Sequence, residues 1–230
     1  MSSKSRPLEG IAGIDEAGRG PMIGPMIVCG ILFKLEDIPK LNELGARDSK
    51  LLTAKNRRAL AGPIRDISRK VALRAIPASE IDQLRGRGVT LNEIEVRAFV
   101  SVAEELQPRE LYLDAADVLA ERFGKEIGER SGLSAAGCRI VSEHKADSKY
   151  EVVSAASIIA KVERDEAISR LIMEHGDLGS GYPNDPKTVD FVRNLVRSGE
   201  ELPSFVRKSW DSVKRIIEEN DSVQATLNGT

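Results

Sequence analysis

The chain predicts an α/β protein, a mixed sheet carrying helices on its faces and followed by a mostly helical last third. Three observations support this. Strand-like and helix-like stretches follow one another in an order that neither alternates strictly as βαβ units nor runs all-β. Carboxylates stand at strand ends: Asp15 and Glu16 on the first, Asp114 further on, and Asp147 just past the last. From Val152 onward the pattern is helical, broken by the GSGYPNDP loop at residues 179–186 and by Pro203.

Residues 10–16 and 22–34 read as two strands joined by a glycine turn, short enough for an antiparallel hairpin. Thr53 has N-cap character for a helix running to Asp66, and Lys70 to Ile76 alternates as a third strand. Leu91, Ile94, Ala98, Phe99, Val102 and Leu106 recur at helical spacing behind Thr90, with Glu93 completing a capping box. Pro108 stops that helix. Glu110 to Leu113 forms a short strand that delivers Asp114, Ala120 to Ser131 a helix, and Cys138 to Ser142 the last strand, ahead of HKADSKY and Asp147.

With 230 residues, 41% apolar, 30% charged and 4% aromatic, the composition is that of a globular protein rich in surface ion pairs, neither disordered nor fibrous. The longest apolar stretch, Met22 to Phe33, is interrupted by Gly24, Pro25 and Gly30 and falls short of the roughly 20 residues that a spanning helix needs. The polar lead-in MSSKSRPLEG lacks the layout of a signal peptide, so a cytoplasmic protein without membrane contact is expected. Cys29 and Cys138 lie in apolar company far apart, which predicts reduced, packed thiols. The net charge of −2 is unevenly spread: from Arg47 to Arg87 eleven Lys and Arg face four Asp and Glu. That segment can steer a polyanion, or it is an ordinary solvated surface.

One sheet brings its strand ends together, so Asp15, Glu16, Asp114 and Asp147 can converge on one acidic patch. Singly, a strand-end Asp is most often a turn or cap residue, and Asp117 is left to that role. Converging carboxylates repel unless hard cations bind them, and Mg²⁺ or Mn²⁺ prefers such oxygen ligands. Two ions roughly 3.5 to 4 Å apart would clamp both oxygens of a phosphodiester displacement. Adjacent residues of a regular strand point to opposite faces, so Asp15 and Glu16 share a site only if the backbone leaves strand geometry, as the Ala17-Gly18 turn permits, or if Glu16 offers its backbone carbonyl. A dinucleotide loop fails on spacing: Gly18, Gly20 and Gly24 give G-x-G-x-x-x-G, beside two carboxylates that would repel a pyrophosphate.

The stretches GIDEAGRGPMIGP, RDSKLLT, TLNEIE, YLDAADV, HKAD, VVSAASIIAKVERD and GSGYPNDP occur in order between residues 13 and 186. Together they closely resemble ribonuclease HII, the type 2 ribonuclease H family, in its archaeal form, over about residues 11–215. The resemblance implies a ribonuclease H-like fold, a mixed five-stranded sheet flanked by helices with a C-terminal helical extension. On that basis residues 1–150 form the catalytic core, 151–215 a helical part completing the same domain, and 216–230 a flexible tail. It also implies that Asp15, Glu16, Asp114 and Asp147 are catalytic and hold two Mg²⁺ or Mn²⁺ ions. The reaction implied is hydrolysis of RNA in RNA–DNA hybrids and cleavage 5′ of single ribonucleotides in duplex DNA, leaving 3′-hydroxyl and 5′-phosphate ends, in ribonucleotide and primer removal.

Ribonucleotide recognition carries over to Gly18, Arg19, Gly20 and Tyr182: glycines let backbone groups reach the sugar edge and its 2′-hydroxyl. Without the resemblance, Tyr182 in its Gly-Pro loop reads as a packing plug. Ser154, Ser157, Lys161 and Arg164 make one polar stripe on a helix, facing either phosphates or solvent, with Lys161 favoured for a phosphate contact. Lys50 is a similar candidate, and His144, close to Asp147, either assists product release or is a structural histidine on the last strand, the second reading being favoured. Two features depart from the archaeal pattern. Glu151 replaces a proline after HKAD, and a sliding-clamp peptide is incomplete, since Gln224 and Leu227 fit but Thr230 stands at the aromatic position. A monomer is expected. A recombination nuclease of the same fold class is disfavoured by the Gly-Arg-Gly motif. A non-catalytic hybrid-binding module is disfavoured by four acids, which gain nothing from facing phosphates.

Overall fold

The computed structural model describes residues 8–45 and 52–228, with side chains to residue 222. A five-stranded sheet of order β3-β2-β1-β4-β5 is its centre. The strands are β1 (Ile11–Ala17), β2 (Met26–Phe33), β3 (Lys70–Ile76), β4 (Glu110–Asp114) and β5 (Arg139–Glu143). Their order is interleaved with helices α1 (Ile38–Glu43), α2 (Ala54–Ile67), α3 (Ala78–Gly86), α4 (Leu91–Leu106), α5 (Ala120–Arg130), α6 (Glu151–His175), α7 (Pro186–Ser198) and α8 (Asp211–Asn228). β1 pairs antiparallel with β2 and parallel with β4, which is parallel to β5. The mixed sheet and the hairpin agree with the sequence. Among the described residues no helix is long and apolar enough to cross a membrane.

Three boundaries differ. β2 begins at Met26 rather than at residue 22, because Gly24 takes φ +85° and Ile23 bridges Val206 instead. The sequence reading has no counterpart of α3, a nine-residue helix with only Ala78 and Ile81 buried and so no long apolar stripe. α8 runs through residues 216–228, where the sequence suggests a tail.

The chain forms two compact units. The first comprises Met1–Ala17, Ile27–Ala75 and Asn92–Glu163 and contains the sheet. On one sheet face, Ile27, Cys29, Ile31 and Phe33 of β2 pack with Ile64 of α2 and with Val153, Ile158 and Ile159 of α6. Gly13 makes this fit: a Cβ there would run into the Val152 backbone, so α6 can lie directly against β1. On the other face a Cβ on Gly30 would meet Ile14, Val102 and Leu106, where α4 closes on the sheet. Phe99 of α4 meets Phe123 of α5 edge-on at 5.1 Å.

The second unit comprises Gly18–Met26, Ile76–Leu91 and Arg164–Thr230. Its core joins Met22 and Ile23 to Ile168, Leu178, Val192, Val206, Val213 and Ile216. Asp185 caps α7 by accepting the Lys187 N–H, and Gly199 ends it at φ +72°.

Candidate active site

The acidic site is built by strand register in the first unit. β1 and β4 run parallel with Ile14 opposite Leu113, so the next residues, Asp15 and Asp114, stand side by side. β5 pairs Glu143 with Asp114; the chain then turns through Lys145 (φ +57°) into a short 3₁₀ turn, Ala146–Ser148, that delivers Asp147. Carboxylate oxygens of Asp15, Asp114 and Asp147 all lie within 4.8 Å of one another. Asp15 and Asp147 are buried, at 5% and 2% exposure. Burial first, then the carboxylates of Glu16 and Asp114, push the Asp15 carboxyl well above the usual range, against hydrogen bonds from the Ser157 side chain and the Glu16 N–H. Three hard oxygen donors, two of them buried and Asp15 repelled by its neighbours, fit a divalent cation.

Strand geometry does not break between Asp15 and Glu16. The register continues through Glu16 with Val28 and Ala17 with Ile27, so the Glu16 Cβ leaves the opposite face from Asp15. The convergent group among the described residues holds the three aspartates. Asp117 is not the N-cap of α5, which is Leu119; its carboxylate accepts the Leu119 N–H in the turn ahead of that helix and pairs with Arg122.

Hydrogen bonds hold the aspartates in place. The Ala146 N–H donates to Asp114 at 3.2 Å. Lys161 Nζ donates to the Ser157 hydroxyl at 2.8 Å. Ser154 and Ser157 are fully buried, so the polar stripe of α6 turns inward there and neither serine is placed to meet a phosphate. Ser157 instead supports Asp15. Both ring nitrogens of His144 face backbone carbonyls, of Ala115 at 3.3 Å and Val118 at 3.2 Å, a structural placement beside the Asp114 loop.

The glycine turn belongs to the second unit. Gly18 has φ +87°, and a Cβ there would fall 2.6 Å from Arg164 Cδ, so only glycine fits. Arg164, 5% exposed, lies 4.7 Å from the Tyr182 ring centroid, and burial lowers its pKa. Tyr182 is 37% exposed, and its loop is tied to the turn by the Met22 N–H donating to the Gly181 carbonyl at 2.7 Å. It is therefore not a buried plug. Arg207 and Trp210, which the sequence reading does not single out, bond the turn's carbonyls. Burial and then Arg164 push the Arg207 pKa down to about 9. Their partners are backbone atoms some 190 positions away in the chain, a relation that no local pattern carries. Lys50, Thr230 and the side chains of Gln224 and Leu227 lie outside the described residues.

Comparison with known proteins agrees with this geometry. The family model described as Ribonuclease HII matches residues 12–213. Ribonuclease HII of Thermococcus kodakarensis is 46% identical over 226 residues, 95% of this chain and 96% of that protein. The crystal structure of ribonuclease H2 from Pyrococcus horikoshii OT3 superposes with a TM-score of 0.84 at 37% identity, covering 92% of this chain and 98% of that one. The ribonuclease HII in the PCNA complex from Archaeoglobus fulgidus gives 0.81 at 41% identity, over 90% and 96%. The sheet order with its converging aspartates and the match over nearly the whole length place this chain in the ribonuclease HII family of endoribonucleases.

Proposed function

We propose that this chain hydrolyses RNA in RNA–DNA hybrids and cuts duplex DNA on the 5′ side of a single embedded ribonucleotide, leaving 3′-hydroxyl and 5′-phosphate ends. The observation that carries this is the convergence of Asp15, Asp114 and Asp147 within 4.8 Å in a chain of this family. Two divalent cations, Mg²⁺ or Mn²⁺, supply when bound the activation of water and the stabilisation of the departing 3′ oxygen. Asp15, Asp114 and Asp147 would hold the cations, with Glu16 contributing its backbone carbonyl, since its side chain leaves the opposite face of β1. Ser157 and the Ala146 N–H keep two of these carboxylates oriented. No side chain has to act as nucleophile.

Substrate reading falls to the turn that begins three residues after Asp15. Gly18 and Gly20 let backbone groups of the turn reach the ribose, whose 2′-hydroxyl distinguishes RNA from DNA. Tyr182, backed by the Arg164 guanidinium, supports the neighbouring sugar. Lys161 and Lys50 contact phosphates. Such an enzyme would act as a cytoplasmic monomer in removing ribonucleotides and primers from DNA.

Asp15→Asn and Asp147→Asn each abolish Mn²⁺-dependent cleavage of a one-ribonucleotide duplex while thermal unfolding stays cooperative. Wild-type-like turnover in either variant sinks the assignment, and cutting of the all-DNA control favours a different nuclease. The solved Archaeoglobus protein is in complex with PCNA. For this chain a clamp contact through residues 224–230 would lack the aromatic anchor that supplies most of the energy, since Thr230 stands in its place. Titrating a peptide of residues 218–230 against the clamp decides it.

A further inference from the structure

The turn after β1 is clamped by a segment from the other end of the chain. Arg207 is fully buried, and its guanidinium donates to the carbonyls of Gly24 (Nε, 3.0 Å), Arg19 (Nη1, 3.0 Å) and Gly18 (Nη2, 2.6 Å). Trp210 Nε1 donates to the Gly20 carbonyl at 3.2 Å, and the Arg207 guanidinium carbon lies 4.8 Å from its ring centroid. The backbone joins in: the Arg207 N–H donates to the Met22 carbonyl and the Gly24 N–H to the Phe205 carbonyl, both at 2.8 Å. The clamp is itself fixed by Asp82, whose carboxylate accepts the backbone N–H groups of Lys208 and Ser209 and the Ser209 hydroxyl.

The C=O and N–H of a trans peptide point in opposite directions. Drawing the carbonyls of Gly18, Arg19, Gly20 and Gly24 toward Arg207 and Trp210 therefore turns the N–H ends of the same peptides away. Two of those peptides lead into Pro21 and Pro25, which have no N–H. The other two are the peptides whose N–H groups belong to Arg19 and Gly20. The Gly20 N–H has no partner among the described residues, and no heavy atom lies within 4 Å of where a Gly20 Cβ would be.

Charge points the same way. Neither Arg207 nor Arg164 makes an ion pair among the described residues, although both are buried. Carbonyls accept from three nitrogens of Arg207, while among the described residues Arg164 Nε has no partner and no carboxylate lies at ion-pair distance from either guanidinium, a costly arrangement if packing were the only purpose. A cation behind the carbonyl end of a peptide polarises that peptide and strengthens its N–H as a donor.

We infer that Arg207 is a positioning residue that sets the Gly20 N–H as a donor for the ribose oxygen of the substrate strand, and so sets the discrimination of ribose from deoxyribose. This rests on the reading of the glycine turn given above. The test measures kcat/KM on a duplex with one ribonucleotide and the inhibition constant of the all-DNA duplex as a competitor. Arg207→Met lowers kcat/KM by about 10- to 100-fold, with Arg207→Lys in between, while the all-DNA inhibition constant stays within about 2-fold. A purely structural role would weaken both in parallel, and that outcome, or an unchanged kcat/KM in a folded variant, overturns the inference. Failure of the wild type to prefer the ribonucleotide duplex would instead remove the underlying reading. Should Arg207→Met not fold, amide exchange of the wild type in EDTA still decides. The Gly20 amide exchanges freely in the free protein and is protected by the ribonucleotide duplex but not by all-DNA duplex; protection already present in the free protein overturns the inference.

Discussion

Asp15 sits at 5% exposure against two other acids, the costliest placement in the acidic cluster. Without metal its charge works against the fold. Asp15→Asn should hold or raise the metal-free thermal midpoint and abolish the rise that Mn²⁺ gives the wild type, about 5 to 10 °C at a hundred times the dissociation constant. The gain has a defined pH dependence. A carboxyl with a raised folded pKa favours the fold below its unfolded value of about 3.9 and loses that contribution as pH rises through the raised value. The variant's advantage over metal-free wild type therefore grows from about pH 4 upward, checked by thermal unfolding in EDTA across that range. Asp15 and Asp114 were readable as converging strand-end carboxylates because register aligns them, whereas Asp147 is brought in by the 3₁₀ turn after β5. The face taken by Glu16 was not readable, since whether a strand continues for one more residue depends on its pairing with Val28. The stripe containing Ser157 was readable too, but its direction was set by packing.

At the level of elements, α6 does the most for the first unit. Val152, Val153, Ala155, Ala156, Ile158, Ile159, Ala160 and Val162 all lie in that unit's core. Each Val or Ile buried is worth about 1.5 to 3 kcal/mol, so losing the five of this half-helix would remove an amount comparable to the 5 to 15 kcal/mol by which a typical domain is stable. Residues 1–150 expressed alone should show no cooperative urea transition, whereas the full chain does. A folded 1–150 fragment would refute the proposal that residues 151–215 complete the same domain. Long elements with a single apolar stripe, such as α4, could be read to their last turn. α3 could not, being short and mostly exposed. The start of β2 was misplaced because Met22 and Ile23, apolar enough for a strand, are buried in the second unit's core instead.

Over the whole molecule, each compact unit is assembled from three separate stretches of chain. Periodicity sees neighbours in sequence, so it resolves elements but not this interleaving. The net charge of −2 is likewise a poor guide to a polyanion partner, since the buried guanidiniums of Arg164 and Arg207 carry a local positive charge that the total conceals. The Gly18 carbonyl and the Arg207 guanidinium that holds it are 189 positions apart. During synthesis on a ribosome the first strands emerge early, but the clamp on the turn cannot close until Arg207 and Trp210 have been made, some 190 residues later. A polypeptide that has not yet reached Trp210 thus carries the aspartates but not the clamp on its glycine turn, and the proposed selectivity for ribose would arise only once both are present.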